Sequence, residues 1–246
     1  MLWRQRLSKL VDKAKFFCLD ILFPITCVGC GQETDWICQS CRVDLCPNLF
    51  QYCPACGARN LSGEACIACA TNSFLDALFI CFDYSNQNIK KLIINFKYKG
   101  AFEIKRLFID WLIDLLYTVL IPNIEIDKMG DIIVIPVPLH RRRFIQRGFN
   151  QAELLALGIA SHFSMPVKLN VLYRGINTIS QAELSIEDRK TNIQNAFFIK
   201  NHSQVVGKRV VLVDDVFTSG STMEECAKAL KASGASAIYG IVVAKG

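Results

Sequence analysis

The stretch beginning at Val210, VVLVDDVFTSGSTM, constrains this chain more than any other. Its apolar part, Arg209 to Val213, reads as a buried strand that ends in two adjacent carboxylates, Asp214 and Asp215. A loop of small residues follows, Thr218, Ser219, Gly220, Ser221 and Thr222, and a helical pattern runs across Thr222 to Ala232. Backbone amides of such a loop and of the helix start can cradle a phosphate, Gly220 permits close approach, and the hydroxyls add donors. Two carboxylates that would be costly if buried unpaired can accept hydrogen bonds from two ribose hydroxyls. The plainer reading, an Asp-capped turn with Thr222 as helix N-cap, leaves the coincidence of strand, paired acids and hydroxyl loop without a reason.

The flanking pattern places this segment in an α/β fold. Ile132 to Val137 reads as a buried strand, a helix spans Ala152 to His162, and Ala237 to Ala244 forms a final strand beyond a helix stop near Gly234. Lys90 to Tyr117 reads as helical, with Phe96, Phe102 and Phe108 in the core. Continuous apolar strands separated by helices predict a parallel sheet with helices on both faces, and such sheets bind ligands at their carboxyl edge.

The N-terminal part obeys different rules. Of the 12 cysteines, those before Ala70 include four Cys-x-x-Cys pairs: Cys27 and Cys30, Cys38 and Cys41, Cys53 and Cys56, Cys66 and Cys69. Each pair forms a turn aiming two thiolates at one tetrahedral ion, so four pairs predict two closed zinc sites of structural type. Pairing can be consecutive, as in a double zinc ribbon, or crossed; spacing leaves both open. Gly29, Gly31 and Gly57 suit the tight turns around the knuckles. Cys18, Cys46, Cys81 and Cys226 have no partner at ligand spacing and read as core or surface thiols.

The predicted organisation is an amphipathic N-terminal helix over 1–24, a double zinc ribbon over 25–72 and an α/β domain over 73–246. The chain is 52% hydrophobic and 20% charged, suited to one substantial core. The most apolar candidate for a membrane span, Leu107 to Pro122, is too short and is interrupted by Asp110 and Asp114. Charges within the first 24 residues break any signal-peptide core, which predicts a cytoplasmic protein without a transmembrane segment. In Leu139 to Gln151, LHRRRFIQRGFNQ, Arg142, Arg143 and Arg147 accompany Phe149 with no acid among them, a pattern suited to phosphates and stacked bases. A solvated loop or helix start is the competing reading of this stretch. His162 and His202 read as surface positions.

These motifs together resemble the ComF family, also called GntX-like. The segment at Val210 looks like the signature of type I phosphoribosyltransferases, and it joins Leu22-Phe23-Pro24 before the first knuckle, Lys97-Tyr98-Lys99-Gly100, and Arg147-Gly148-Phe149-Asn150-Gln151. The resemblance implies a type I phosphoribosyltransferase-like fold binding phosphoribosyl pyrophosphate (PRPP) with Mg2+. It also implies a double zinc ribbon and a role in natural transformation, where imported single-stranded DNA is handled at the inner face of the membrane with a helicase or uptake proteins. Carried onto this chain, Asp214 and Asp215 hold the ribose and Thr218 to Thr222 the 5′-phosphate. Pro138, Leu139, His140 and Arg141 stand in the pyrophosphate loop, and Gln181, Leu184, Arg189 and Asn192 in the flexible lid. Asn195-Ala196-Phe197 stands where that lid motif commonly has a glycine. The acceptor-binding hood of such enzymes is expected over 75 to 130. Two functions remain in competition: a Mg-dependent phosphoribosyltransferase with an unidentified acceptor, and a binding module that grips PRPP and DNA.

Overall fold

The computed structural model describes residues 24–98, 103–119, 131–175 and 196–246. The N-terminal helix, Phe102, Lys99-Gly100 and the lid residues Gln181, Leu184, Arg189 and Asn192 lie outside them. The chain divides into two compact units, Met1–Cys46 and Pro47–Gly246, so the second cysteine cluster belongs to the larger unit.

In the smaller unit, the bridge between Thr26 and Glu33 closes a turn, and a short helix, Gln39–Val43, follows Cys38. The larger unit opens with a two-stranded ribbon, β1 (Gln51–Tyr52) antiparallel to β2 (Arg59–Asn60). Its main sheet contains β3 (Ala77–Asp83), β4 (Ile132–Pro136), β7 (Arg209–Phe217) and β8 (Ala237–Lys245). The order is β3-β8-β7-β4, and every pairing is parallel. A separate hairpin pairs β5 (Leu172–Arg174) with β6 (Phe197–Ile199).

Apolar side chains alternate between the two faces of the sheet, as the pleat requires. Leu78, Ile80, Ile135, Val210, Leu212 and Val242 pack with Met223, Cys226 and Leu230 of the Ser221–Ala232 helix. On the other face the Cys81 thiol donates to the Trp111 carbonyl in the Ile104–Val119 helix, which packs on the Gln151–Phe163 helix. Both faces are therefore covered. Helix Gln87–Tyr98 buries Ile89, Leu92, Ile93 and Phe96, a stripe at helical spacing, and Phe96 meets Phe108 edge-on at 5.4 Å. Each such burial stabilises the fold by about 1.5–3 kcal/mol.

β3 corrects the expected extent of the hood. Residues 77–83 form an edge strand, paired with β8 from Ala77 opposite Tyr239 to Asp83 opposite Lys245, and so belong to the sheet. The Lys90 to Tyr117 region contains two helices, Gln87–Tyr98 and Ile104–Val119. β7 continues past its expected end at Val213 to Phe217 because it keeps its partner β8, whereas its pairing with β4 ends at Pro136 opposite Val213. The sheet edge thus opens a gap beside Asp214 and Asp215.

Candidate ligand site and thiolate clusters

Asp214 and Asp215 occupy this gap at the carboxyl edge, where the sheet order and the loops after β4 and β7 converge. The Asp215 amide donates to Asp214 Oδ1 at 2.8 Å. Asp215 is only 6% exposed, and Lys97 Nζ from the end of the Gln87–Tyr98 helix lies 2.8 Å from its Oδ1. Burial, and then the Asp215 charge, push the Asp214 carboxyl up to about 7, while Lys97 and Arg147 pull against the shift.

The hydroxyl loop follows at once. Ser219 Oγ and Ser221 Oγ are 2.9 Å apart, and Gly220 starts the Ser221–Ala232 helix with φ 77° and no side-chain cap. A Cβ on Gly220 would stand 2.6 Å from the Phe217 ring, so both backbone conformation and space require glycine here. The plainer reading, with Thr222 as helix N-cap, gives way to this uncapped glycine start, the arrangement an anion at the helix N-terminus would complete. Glu224, in the first turn, is turned away to accept from Ser73 Oγ at 2.6 Å and the Phe74 amide at 2.9 Å.

The loop after β4 stands beside the acids. The Val137 amide donates to the Val213 carbonyl at 2.9 Å, and Pro138, Leu139 and His140 follow, each half-buried. His140 Nδ1 accepts from the Arg142 amide at 3.2 Å, capping the Arg141–Arg147 helix. Burial and the charges of Arg174, Arg143 and Arg142 hold the His140 ring below its ordinary pKa, so it is a neutral acceptor. His140, Arg141, Arg142, Ile145, Arg174 and Gly175 line an open cleft of about 470 Å³. Burial and then Arg143 lower the pKa of Arg174, whose guanidinium lies 5.4 Å from the Phe197 ring centroid. Converging arginines beside a neutral histidine suit a multiply charged anion.

The basic stretch divides by environment. Arg142 is exposed and Arg143 half-exposed, while Arg147 and Phe149 are drawn inward. Arg147 stacks 4.9 Å from the Tyr98 ring, donates to Tyr98 Oη at 2.9 Å and to Gln151 Oε1 at 3.1 Å. Phe149 packs 5.9 Å from Phe96. Asn150 accepts from the Ala152 amide as helix cap and donates to the Val137 carbonyl at 3.1 Å, tying the segment after β4 to the start of the Gln151–Phe163 helix.

Lys97 and Arg174 are the two site residues that sequence reasoning missed. Lys97 lay in a motif used only for the family resemblance, and nothing in the local pattern around Arg174 distinguishes it from a strand-end arginine. His162 and His202 are exposed as expected, hydrogen-bonded to Tyr117 and Ser233.

The cysteines resolve into consecutive pairs. Cys27, Cys30, Cys38 and Cys41 form one cluster and Cys53, Cys56, Cys66 and Cys69 another, with the four sulfurs of each within 4.8 Å of one another. The two are built alike: the Gly31 amide returns to the Cys27 carbonyl, and the Gly57 amide to the Cys53 carbonyl. Cys27 Sγ accepts from the Cys38 amide at 3.3 Å and Cys53 Sγ from the Cys66 amide at 3.4 Å. Burial opposes ionisation of Cys27 and Cys53, but backbone amide donors outweigh it and bring both down to about 6. Preformed four-sulfur clusters of this kind fit structural metal ions. Cys81 and Cys226 are buried core thiols and Cys46 is exposed.

Residues 151–246 match the phosphoribosyl transferase domain family. Competence protein F of Haemophilus influenzae is 29% identical over 219 residues, which cover 86% of this chain and 93% of that protein. Competence protein ComFC of Bacillus subtilis is 27% identical over 211 residues, covering 82% of this chain and 80% of its own. Along most of its length the chain is similar to these ComF-type competence proteins. The DNA utilization protein YhgH of Escherichia coli is 38% identical over 105 residues, 43% of this chain and 45% of that protein. Like them it carries a phosphoribosyltransferase-type domain, here with two four-cysteine clusters, and among its described residues no helix is long and apolar enough to cross a membrane.

Proposed function

We propose that this chain is a ComF-type protein that binds PRPP at the carboxyl edge of its sheet and serves DNA uptake by handling imported single-stranded DNA on the cytoplasmic side. The observation that carries the reading is the adjacency of Asp214 and Asp215 to an uncapped glycine helix start beside a cleft rich in arginine. Asp214 and Asp215 receive the ribose hydroxyls, and Thr218 to Thr222 the 5′-phosphate. The pyrophosphate lies against Pro138, Leu139, His140 and Arg141. Mg2+ arriving with PRPP supplies positive charge to the pyrophosphate. Zinc fills the two thiolate clusters, since four sulfur ligands leave no open position for catalysis. DNA phosphates meet the exposed Arg142 and the half-exposed Arg143, and the names of the competence relatives support this partner over a metabolic acceptor.

The deciding experiment is calorimetric titration with PRPP and Mg2+, with and without a single-stranded oligonucleotide. Wild type binds, the Asp214→Asn/Asp215→Asn double variant does not although it stays folded, and any effect of DNA on PRPP affinity is matched by an equal effect of PRPP on DNA affinity. Wild-type affinity in the double variant defeats the site assignment. Release of pyrophosphate in the presence of a nucleobase or amine would make the protein an active transferase instead.

A further inference from the structure

Asp214 and Asp215 stand beyond the last β7 residue paired with β4, and Lys97 reaches this gap from the Gln87–Tyr98 helix. The ion pair is largely enclosed, with the side chain of Lys97 18% exposed and that of Asp215 9% exposed. A carboxylate at that depth needs a partner. The contact uses one oxygen of Asp215, its Oδ1, while the Asp215 amide uses one oxygen of Asp214, also Oδ1. Among the described contacts, the second oxygen of each acid is left to accept a hydroxyl. The next residue along the helix, Tyr98, holds Arg147, so one helix end fixes both the acidic pair and the start of the arginine-bearing segment.

We propose that Lys97 is a positioning residue for the ligand site: by holding Asp215 it orients the acidic pair toward a ribose diol without itself touching the sugar. The inference rests on the reading of Asp214 and Asp215 as ribose acceptors. Groups of charge or titration that face Asp214 come from each neighbouring element: Asp215 on its own strand, Lys97, Arg147, Arg174 on β5, and Cys226 on the Ser221–Ala232 helix. Lys97 and Arg147 favour the carboxylate, and burial with Asp215 opposes it. A diol donates to carboxylates, so affinity for PRPP should rise with pH as Asp214 ionises. Loss of the Lys97 charge should move that rise to higher pH.

The test uses the full-length, metal-loaded chain with Lys97→Met and Lys97→Arg. PRPP affinity in Mg2+ is measured by calorimetry from about pH 5.5 to about pH 8.5, a window chosen to bracket a carboxyl that titrates near neutrality. The Asp214 carboxyl is titrated in the unliganded protein by carbon NMR. Lys97→Met should weaken PRPP by about tenfold or more at neutral pH and shift both midpoints upward, while Lys97→Arg restores both. If Lys97→Met does not fold, Lys97→Gln takes its place. Wild-type affinity and an unshifted pH profile in the Met or Gln variant, alongside lost binding in Asp214→Asn/Asp215→Asn, would overturn the role of Lys97 while leaving the site intact. Wild-type affinity in the double Asn variant would instead show that the site reading has failed, and the proposal with it.

Discussion

Gln51 meets Ile80 through both ends of its side-chain amide: Oε1 accepts from the Ile80 amide at 2.7 Å, and Nε2 donates to the Ile80 carbonyl at 3.5 Å. The ribbon that begins at Gln51 thereby satisfies the outer edge of β3 and covers a sheet edge that would otherwise be open to pairing with another chain. Lys245, at the end of β8, adds a cation over the Tyr52 ring at 4.7 Å. The second thiolate cluster is therefore built into the sheet unit.

Gln51→Ala should destabilise the larger unit by about 1–3 kcal/mol, because it leaves a buried backbone amide unsatisfied. Denaturant unfolding followed by far-UV circular dichroism reads this loss, and an unchanged midpoint would contradict the edge-sealing role. Cys53→Ser should lower the same midpoint by removing a ligand from a cluster continuous with β1.

Much of the sheet was legible because its strands are long or wholly apolar. Ile132–Pro136 and Ala237–Lys245 fall within a residue of their expected bounds, and the acidic pair and hydroxyl loop stand where the strand-to-helix pattern placed them. β3 escaped because its apolar run follows closely on cysteine-rich sequence, where no strand-helix alternation frames it. Leu172–Arg174 and Phe197–Ile199 are too short to show a strand period, and they become strands only by pairing across 22 intervening residues. The Lys97–Asp215 contact spans two elements distant in sequence, so no local spacing encodes it. Likewise, Arg147 and Phe149 resemble a nucleic-acid patch in composition, yet Tyr98 and Phe96 supply partners that draw them inward.

Asp214→Asn should separate stability from binding. The Asp214 carboxyl holds its proton more tightly in the folded chain than in the unfolded chain, so its contribution to stability is full below the ordinary carboxylate range and is lost as pH rises through about 7. Asn carries no charge, and the variant should match wild type near pH 4 but exceed it at pH 8 by about 1–2 kcal/mol, a value reduced from the full linkage because the side chain is partly open to solvent. Thermal melts at the two pH values check the sign, and equal differences at both would refute it. PRPP binding should be lost at either pH.

Gly220→Ala should damage the phosphate loop at its backbone. A methyl group there must tolerate φ 77° and a 2.6 Å approach to Phe217, so the loop shifts or the aromatic ring moves. The expected cost is about 1–2 kcal/mol of stability, with weaker phosphate binding because the amides no longer converge. Inorganic phosphate titration of the variant, followed by NMR of the Ser221 and Thr222 amides, should show reduced shifts; wild-type shifts would place the anion elsewhere.

The arginines after β4 should divide into two groups when DNA binding is measured against salt. Arg142 and Arg143 extend from the exposed side of a short helix, and Arg142 lines the anionic-ligand cleft. If they contact DNA phosphates, Arg142→Ala/Arg143→Ala should reduce the slope of log affinity against log salt by about 1–2, since each lost phosphate contact releases one fewer counterion. Arg147 instead spends its guanidinium on the Tyr98 ring and hydroxyl and on Gln151, and these contacts compete with a phosphate. Arg147→Ala should therefore lower the melting temperature and leave the salt slope near wild type. Fluorescence anisotropy of a labelled single-stranded oligonucleotide over a salt series distinguishes the two classes. Equal slope losses from Arg147→Ala and from the double variant would mean that the Tyr98 stack opens on DNA, and that the inward placement of Arg147 does not survive binding.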